Sequence, residues 1–88
     1  MIHSFIPIIR KNDYETFRRL MGNNLPDTYD ERRYLTLKDK DDAIMRGHVA
    51  EEIEIYPDEF VRYVTTHGGE YTLHMLSNCA AEKGMRKK

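Results

Sequence analysis

The feature that most constrains the fold is that only two short stretches, far apart in the chain, resemble β-strands. Residues 52–56 alternate strictly between polar and β-branched side chains, which is the period of a strand with one buried face. Residues 2–9 are rich in β-branched and aromatic side chains, and Pro7 among them indicates an edge strand or one that ends early. Two strands form only a marginal sheet. They must therefore either pair with each other beneath helices or pair across a dimer.

The segments outside the strands predict helices. The first helix has Asn12 as its cap and Gly22 at its end, because glycine tolerates the left-handed backbone that ends helices. Two more helices span about residues 57–67 and 72–83, with Gly84 ending the last. The residues expected to face the core or one side of the sheet are Tyr14, Phe17, Met21, Val49, Ile53, Ile55, Phe60, Val61, Val64, His67, Leu73, Leu76 and Ala80.

Residues 28–46 have two interpretations. Thr28 and Glu31 form a capping box, and no Gly or Pro follows before Arg46, which favours one long helix. Alternatively, residues 34–37 alternate as a strand does, and residues 38–42 could form the turn of a β-hairpin, although without the Gly that short hairpin turns favour. As a helix, the segment would have an apolar stripe of Tyr34, Leu37, Ile44, Met45 and His48.

These elements predict an α+β fold in which a small two-strand element packs with three to four helices in the order β-α-α-β-α-α. A chain of 88 residues is the size of one domain. We therefore assign residues 1–84 to a single small domain and residues 85–88 to a basic C-terminal tail.

Composition favours a cytoplasmic protein. No apolar run approaches the roughly 20 residues that a membrane-spanning helix needs, so no membrane association is expected. Arg10 and Lys11 follow the apolar start of the chain, whereas the charges of a secretory signal precede its apolar region. The single cysteine, Cys79, cannot form an internal disulfide, so nothing implies an oxidising compartment.

The chemistry-bearing residues are not spaced for a metal site or for catalysis. His67, His74 and Cys79 are the only trio that could be considered as metal ligands. On one helix, His74 and Cys79 would point about 140° apart, and no pair of cysteines or histidines has the spacing typical of zinc sites. Acidic residues come in short runs typical of a solvated surface. The sequence therefore predicts no metal, no cofactor and no enzymatic activity.

The later part of the chain is acidic and contains several tyrosines. Residues 49–82 include seven acidic residues and one basic residue, Arg62, which gives a net charge of −6. Tyrosines among carboxylates suit a surface that binds a basic protein, and such a surface disfavours nucleic acid. Alternatively, the rings only cover a small core. The candidate partner-binding residues are Tyr56, Tyr63, Tyr71, Glu52 and Glu54.

Two charged residues interrupt predicted apolar faces. Asp41 falls within the stripe of residues 34–45, and Arg18 lies beside Tyr14 and Met21 on the first helix. Both side chains could reach water at the margin of their helices. Alternatively, Arg18 and Asp41 could form a polar pair that ties the helices together, or a polar spot in an interface with a partner.

The segment 52–84 resembles a ribbon-helix-helix element, with a strand at residues 53–56, a helix that begins with Pro57, a glycine turn and a second helix. The resemblance implies a dimeric transcription regulator or antitoxin, in which the strand pairs with its twin and lies in the DNA major groove. This chain departs from the family pattern at the outward positions Glu52, Glu54 and Tyr56, where the family generally places basic or hydrogen-bonding residues. Nearly fifty residues also precede the element.

The expected function is therefore a small non-enzymatic protein-binding or accessory module that acts on another protein and could form a homodimer. The ribbon-helix-helix regulator or antitoxin is the alternative.

Overall fold

The computed structural model describes residues 2–86 and confirms the predicted α+β fold with the order β-α-α-β-α-α. About 66% of it is helical. Within these residues, no helix is both long and apolar enough to cross a bilayer. The elements are β1 (His3–Ile8), α1 (Tyr14–Met21), α2 (Tyr29–Met45), β2 (Val49–Glu54), α3 (Pro57–His67) and α4 (Leu73–Arg86).

The two strands pair with each other in parallel within the chain. The register runs from His3 opposite Val49 to Ile8 opposite Glu54. A parallel pair requires a long crossover connection, which α1 and α2 provide here. Pro7 lacks an N–H group, and its place in the strand is tolerated because both strands of a two-stranded sheet are edge strands.

The core lies between the sheet and α1, α3 and α4. The largest fully buried side chains come from three helices and from the residue that follows β2: Phe17, Phe60, Leu76 and Ile55. The rings of Phe17 and Phe60 stack with their centroids 5.8 Å apart, which joins α1 to α3. Most of the predicted core positions are confirmed. Val61, His67 and Leu73 were predicted to face inward but are exposed. Val61 lies at the edge of the buried side of α3, whereas His67 is the last residue of α3 and Leu73 is the first residue of α4.

Residues 29–45 form one helix, so the helical interpretation of this segment is confirmed. Thr28 caps it, since its hydroxyl accepts a hydrogen bond from the backbone N–H of Glu31 at 3.1 Å. The apolar stripe expected on this helix is not its buried side. Arg32, Thr36 and Ala43 are buried against the sheet, and the apolar stripe faces solvent.

Two predicted helix ends also differ from the structure. α1 begins at Tyr14 after a 3₁₀ turn, with no side-chain cap hydrogen bond, so Asn12 does not cap it. α4 continues through Gly84 to Arg86, because Gly84 packs against β1 instead of ending the helix. Met85 and Arg86 of the predicted tail therefore belong to α4, while residues 87 and 88 lie outside the described residues.

Candidate functional site

The most prominent exposed apolar surface lies on the solvent side of α2. Tyr34 is 67% exposed, Leu37 43%, Ile44 53% and Met45 84%, and Leu35 beside them is 42% exposed. Helical spacing places the first four within one stripe. We call this surface the outer face of α2 and define it by Tyr34, Leu35, Leu37, Lys38, Asp41, Asp42, Ile44 and Met45.

The opposite side of α2 explains why these apolar side chains face solvent. Thr36 donates a hydrogen bond from its hydroxyl to the Arg32 carbonyl at 2.9 Å, which satisfies the hydroxyl in a buried position. Lys40 reaches Glu52 on β2 at 2.6 Å, and this hydrogen bond is the main reason why the pKa of the Glu52 carboxyl is lowered. Arg33 lies 4.0 Å from the same carboxylate. Polar and long-stemmed residues thus attach α2 to the sheet.

Charges are arranged along the outer face in a definite order. The acidic residues Asp30 and Glu31 lie at its N-terminal end, where they border a shallow depression of about 380 Å³ together with Tyr34 and Leu35. Lys38 and Asp41 lie near the middle, and Arg46 follows the last turn. Within residues 2–86, the side chains of Lys38, Asp41 and Arg46 form no ion pair. Their charges are therefore available to a partner.

Each of the three candidate tyrosines has a neighbour within the fold. Tyr56 lies between Arg10 and Lys83, each 4.6 Å from its ring centroid. Tyr63 stacks on His67 with the ring centroids 4.1 Å apart. Tyr71 packs edge-on against Phe60, with the centroids 5.5 Å apart, and is only partly exposed. These contacts give all three rings a structural role.

Each candidate carboxylate forms an ion pair with a cation from another part of the chain. Lys40 binds Glu52, and Arg10 lies 3.7 Å from Glu54. Lys83 donates to the backbone carbonyl of Glu54 at 2.7 Å and to the Glu59 carboxylate at 2.8 Å. The structure therefore does not bring the five candidate residues together as one free acidic surface. Tyr56 and Glu54 share Arg10 as a neighbour, whereas Glu52 lies against α2.

The hypothesis of an Arg18–Asp41 pair is wrong. Arg18 forms an ion pair with Asp27 at 3.1 Å, because the turn before α2 returns the chain to α1. Asp41 is exposed on the outer face of α2, on the side away from the core. Its position in the stripe is that of a polar group within an exposed apolar surface.

A second depression, of about 180 Å³, lies between α3 and α4. It has charged walls of both signs. Cys79 borders it, and burial raises the pKa of its thiol to about 11, so the thiol is protonated near neutral pH. His67 lies 4.0 Å from Glu82 across this depression, whereas His74 is exposed elsewhere on α4. Within the described residues, no group of three or more His, Cys, Asp or Glu side chains could hold a metal ion.

The sequence pattern placed Tyr34, Leu37, Ile44 and Met45 on a common stripe without indicating whether it is buried, and it did not single out Leu35 or Lys38. Asp41 is the residue that could have indicated that this stripe faces solvent. A carboxylate in the middle of an apolar stripe is costly to bury, so its presence favours an exposed face.

The segment 52–84 has the helix, glycine turn and helix that the ribbon-helix-helix resemblance implies. Its strand, however, pairs with β1 of the same chain, not with a twin. Comparison with models of protein families, with curated protein sequences and with solved structures finds no match to this chain.

Proposed function

We propose that this chain is a small non-enzymatic protein-binding module that docks through the outer face of α2. The observation that carries this proposal is the exposure of Tyr34, Leu37, Ile44 and Met45 as one stripe along the helix. Contiguous exposed apolar surfaces of this kind typically mark protein interaction sites. Burial of these side chains against a partner removes apolar area from water, which is the main favourable term in association.

The residue types of the stripe support the same function. Tyrosine and methionine are enriched at the centres of protein interfaces. Tyr34 offers a rigid ring with a polar hydroxyl, and Met45 offers a flexible thioether that adapts to an irregular surface. The Thr28 cap and the Lys40–Glu52 ion pair hold α2 in place, so the helix surface exists before a partner binds.

Two further observations favour a binding module over the other functions considered. Cys79 is buried with a raised pKa, which is the opposite of an activated nucleophile. β2 pairs within its own chain, which favours docking through a helix over a DNA-reading strand pair. We propose a cytoplasmic location as well, since a lone buried thiol suits a reducing compartment.

Site-specific photocrosslinking in native lysate tests this function. A photoreactive phenylalanine analogue replaces Tyr34 in one version of the chain and the exposed Thr65 on α3 in a control version. We expect light-dependent protein adducts at position 34 that an excess of the parent chain suppresses. An excess of the Tyr34→Ser/Met45→Ser double variant should not suppress them. Equal adducts at both positions, or none at position 34, would exclude this docking face.

A further inference from the structure

We infer that the partner of the outer face is a second copy of this chain, packed with the two α2 helices antiparallel. This inference rests on the proposed function and specifies its partner. α2 has 17 residues and is therefore about 25 Å long. A two-fold axis that passes midway between residues 39 and 40 relates the copies. A self-complementary surface is what such an axis requires.

The apolar side chains match in this arrangement. With a rise of about 1.5 Å per residue, Tyr34 lies at the same height as Met45 of the second copy, and Met45 lies level with Tyr34 in return. We call the line along which the two α2 helices meet the seam. Leu37 and Ile44 lie on one side of it, and the two-fold axis keeps them on that side in both copies. Leu37 then lies within about 3 Å in height of Ile44 of the second copy. The exposed stripe becomes a continuous apolar contact.

The charges match in the same register. Lys38 lies level with Asp41 of the second copy and beside its Asp42, so the centre of the interface has two symmetry-related pairs of opposite charge. Glu31 near one end comes beside Arg46 near the other, and the helix dipoles are antiparallel. A parallel arrangement would place Lys38 against Lys38 and Asp41 against Asp41, which is repulsive. This pattern of charges is the reason to choose a second copy as the occupant.

The antiparallel pair also explains Asp41. Its carboxylate has a partner, Lys38 of the second copy, only in this register, and any other register leaves it unpaired within an apolar seam, which costs free energy. The interface is small, because one helix pair buries less area than a standard complex does. A standard complex buries about 800 Å² on each partner. Dimerisation should therefore depend on concentration.

Sedimentation equilibrium of the purified full chain over a range of concentrations tests the inference. The variants are Lys38→Asp, which places two acidic residues at the seam, and Asp41→Lys, which places two basic residues there. Both positions are exposed, so neither change should disturb the fold. Each variant should weaken self-association at least about tenfold, since two attractive pairs become two repulsive pairs by symmetry.

A one-to-one mixture of the two variants is the decisive arm. In a mixed dimer, the aspartate introduced at position 38 of one chain faces the lysine introduced at position 41 of the other. The native Asp41 of the first chain faces the native Lys38 of the second, so both attractive pairs return. We expect the mixture to associate about as well as the parent, although each variant alone does not. Charge effects within one helix cannot produce this result.

Either of two outcomes overturns the inference: a parent chain that stays monomeric at every concentration, or a dimer that neither variant weakens. The proposed function fails separately. A monomeric chain that still forms competed adducts at position 34 in lysate retains the docking face but has a different partner.

Discussion

Gly84 in the last turn of α4 lies directly against the ring of Phe5 on β1, and a methyl group at position 84 would overlap that ring. Glycine inside a helix normally lowers stability. Here the missing side chain allows α4 to approach the sheet closely, so Gly84 has a packing role.

We therefore expect Gly84→Ala to destabilise the fold. The overlap should cost about 1–3 kcal/mol, against a gain of about 1 kcal/mol in helix propensity. Urea unfolding measures the difference. Gly69→Ala is the control, because its methyl group would meet only the flexible end of Met75 and should change stability little. A Gly84→Ala chain as stable as the parent would show that α4 does not pack as described.

Arg32 is buried with few partners, which leads to a second prediction. It is 7% exposed, its Nη2 lies 3.4 Å from the Pro7 carbonyl, and its Nε has no partner within residues 2–86. Burial lowers the pKa of its guanidinium. Arg32→Met keeps the apolar stem and removes the desolvated charge, so stability should stay equal or rise by about 1 kcal/mol.

Arg32→Ala provides the comparison for the methionine variant. It removes the stem as well as the charge and should destabilise by about 2 kcal/mol or more through the space left behind. Thermal or urea unfolding of both variants separates the two contributions. If methionine is as damaging as alanine, the guanidinium itself stabilises the fold.

Much of the local structure could be predicted from the sequence because its chemistry is local. Thr28 caps α2 through a hydrogen bond three residues away, and Gly22 and Gly68 end their helices with φ angles of +57° and +66°. Alternation identified the buried Ile53 and Ile55. In each case the signal and the structure that it specifies lie within a few residues.

The orientation of α2 could not be predicted in the same way. Periodicity shows which residues share a side of a helix, but the surroundings decide which side is buried. α1, α3 and α4 already cover much of the small core, and α2 meets the sheet through Arg32, Thr36 and Ala43. Gly84 illustrates the same limit, since a glycine late in a helix can either end it or permit close packing.

Cys79 gives a prediction for the effect of pH. Its folded pKa is raised to about 11 by burial, whereas the thiol of an unfolded chain titrates at about 8.5. Between these values the unfolded chain binds fewer protons than the folded chain, so stability falls as pH rises. The contribution is fully present below about pH 8.5 and amounts to about 3 kcal/mol at most.

Urea unfolding of the parent and of Cys79→Ala at pH 8 and pH 10.5 isolates this contribution from other groups that titrate in the same range. We expect the parent to have the larger free energy of unfolding at pH 8 and to lose this advantage over the variant at pH 10.5. An advantage of equal size at both values would mean that the thiol does not titrate as its burial implies.

The last prediction separates the stability of the fold from the use of its surface. Asp41 is exposed on the outer face of α2 and makes no ion pair within the described residues, so Asp41→Ala should change the free energy of unfolding by no more than about 0.5 kcal/mol. A double-mutant cycle between Arg18→Ala and Asp41→Ala should give a coupling near zero. The same cycle between Arg18 and Asp27, whose side chains are 29% and 87% exposed, should give a coupling of at most about 1 kcal/mol.

If Asp41 serves the interface, its removal should weaken self-association, because Lys38 of the second copy loses the carboxylate opposite it. A strong coupling of Asp41 to Arg18, or a large loss of stability without any change in association, would contradict an exposed position for this carboxylate.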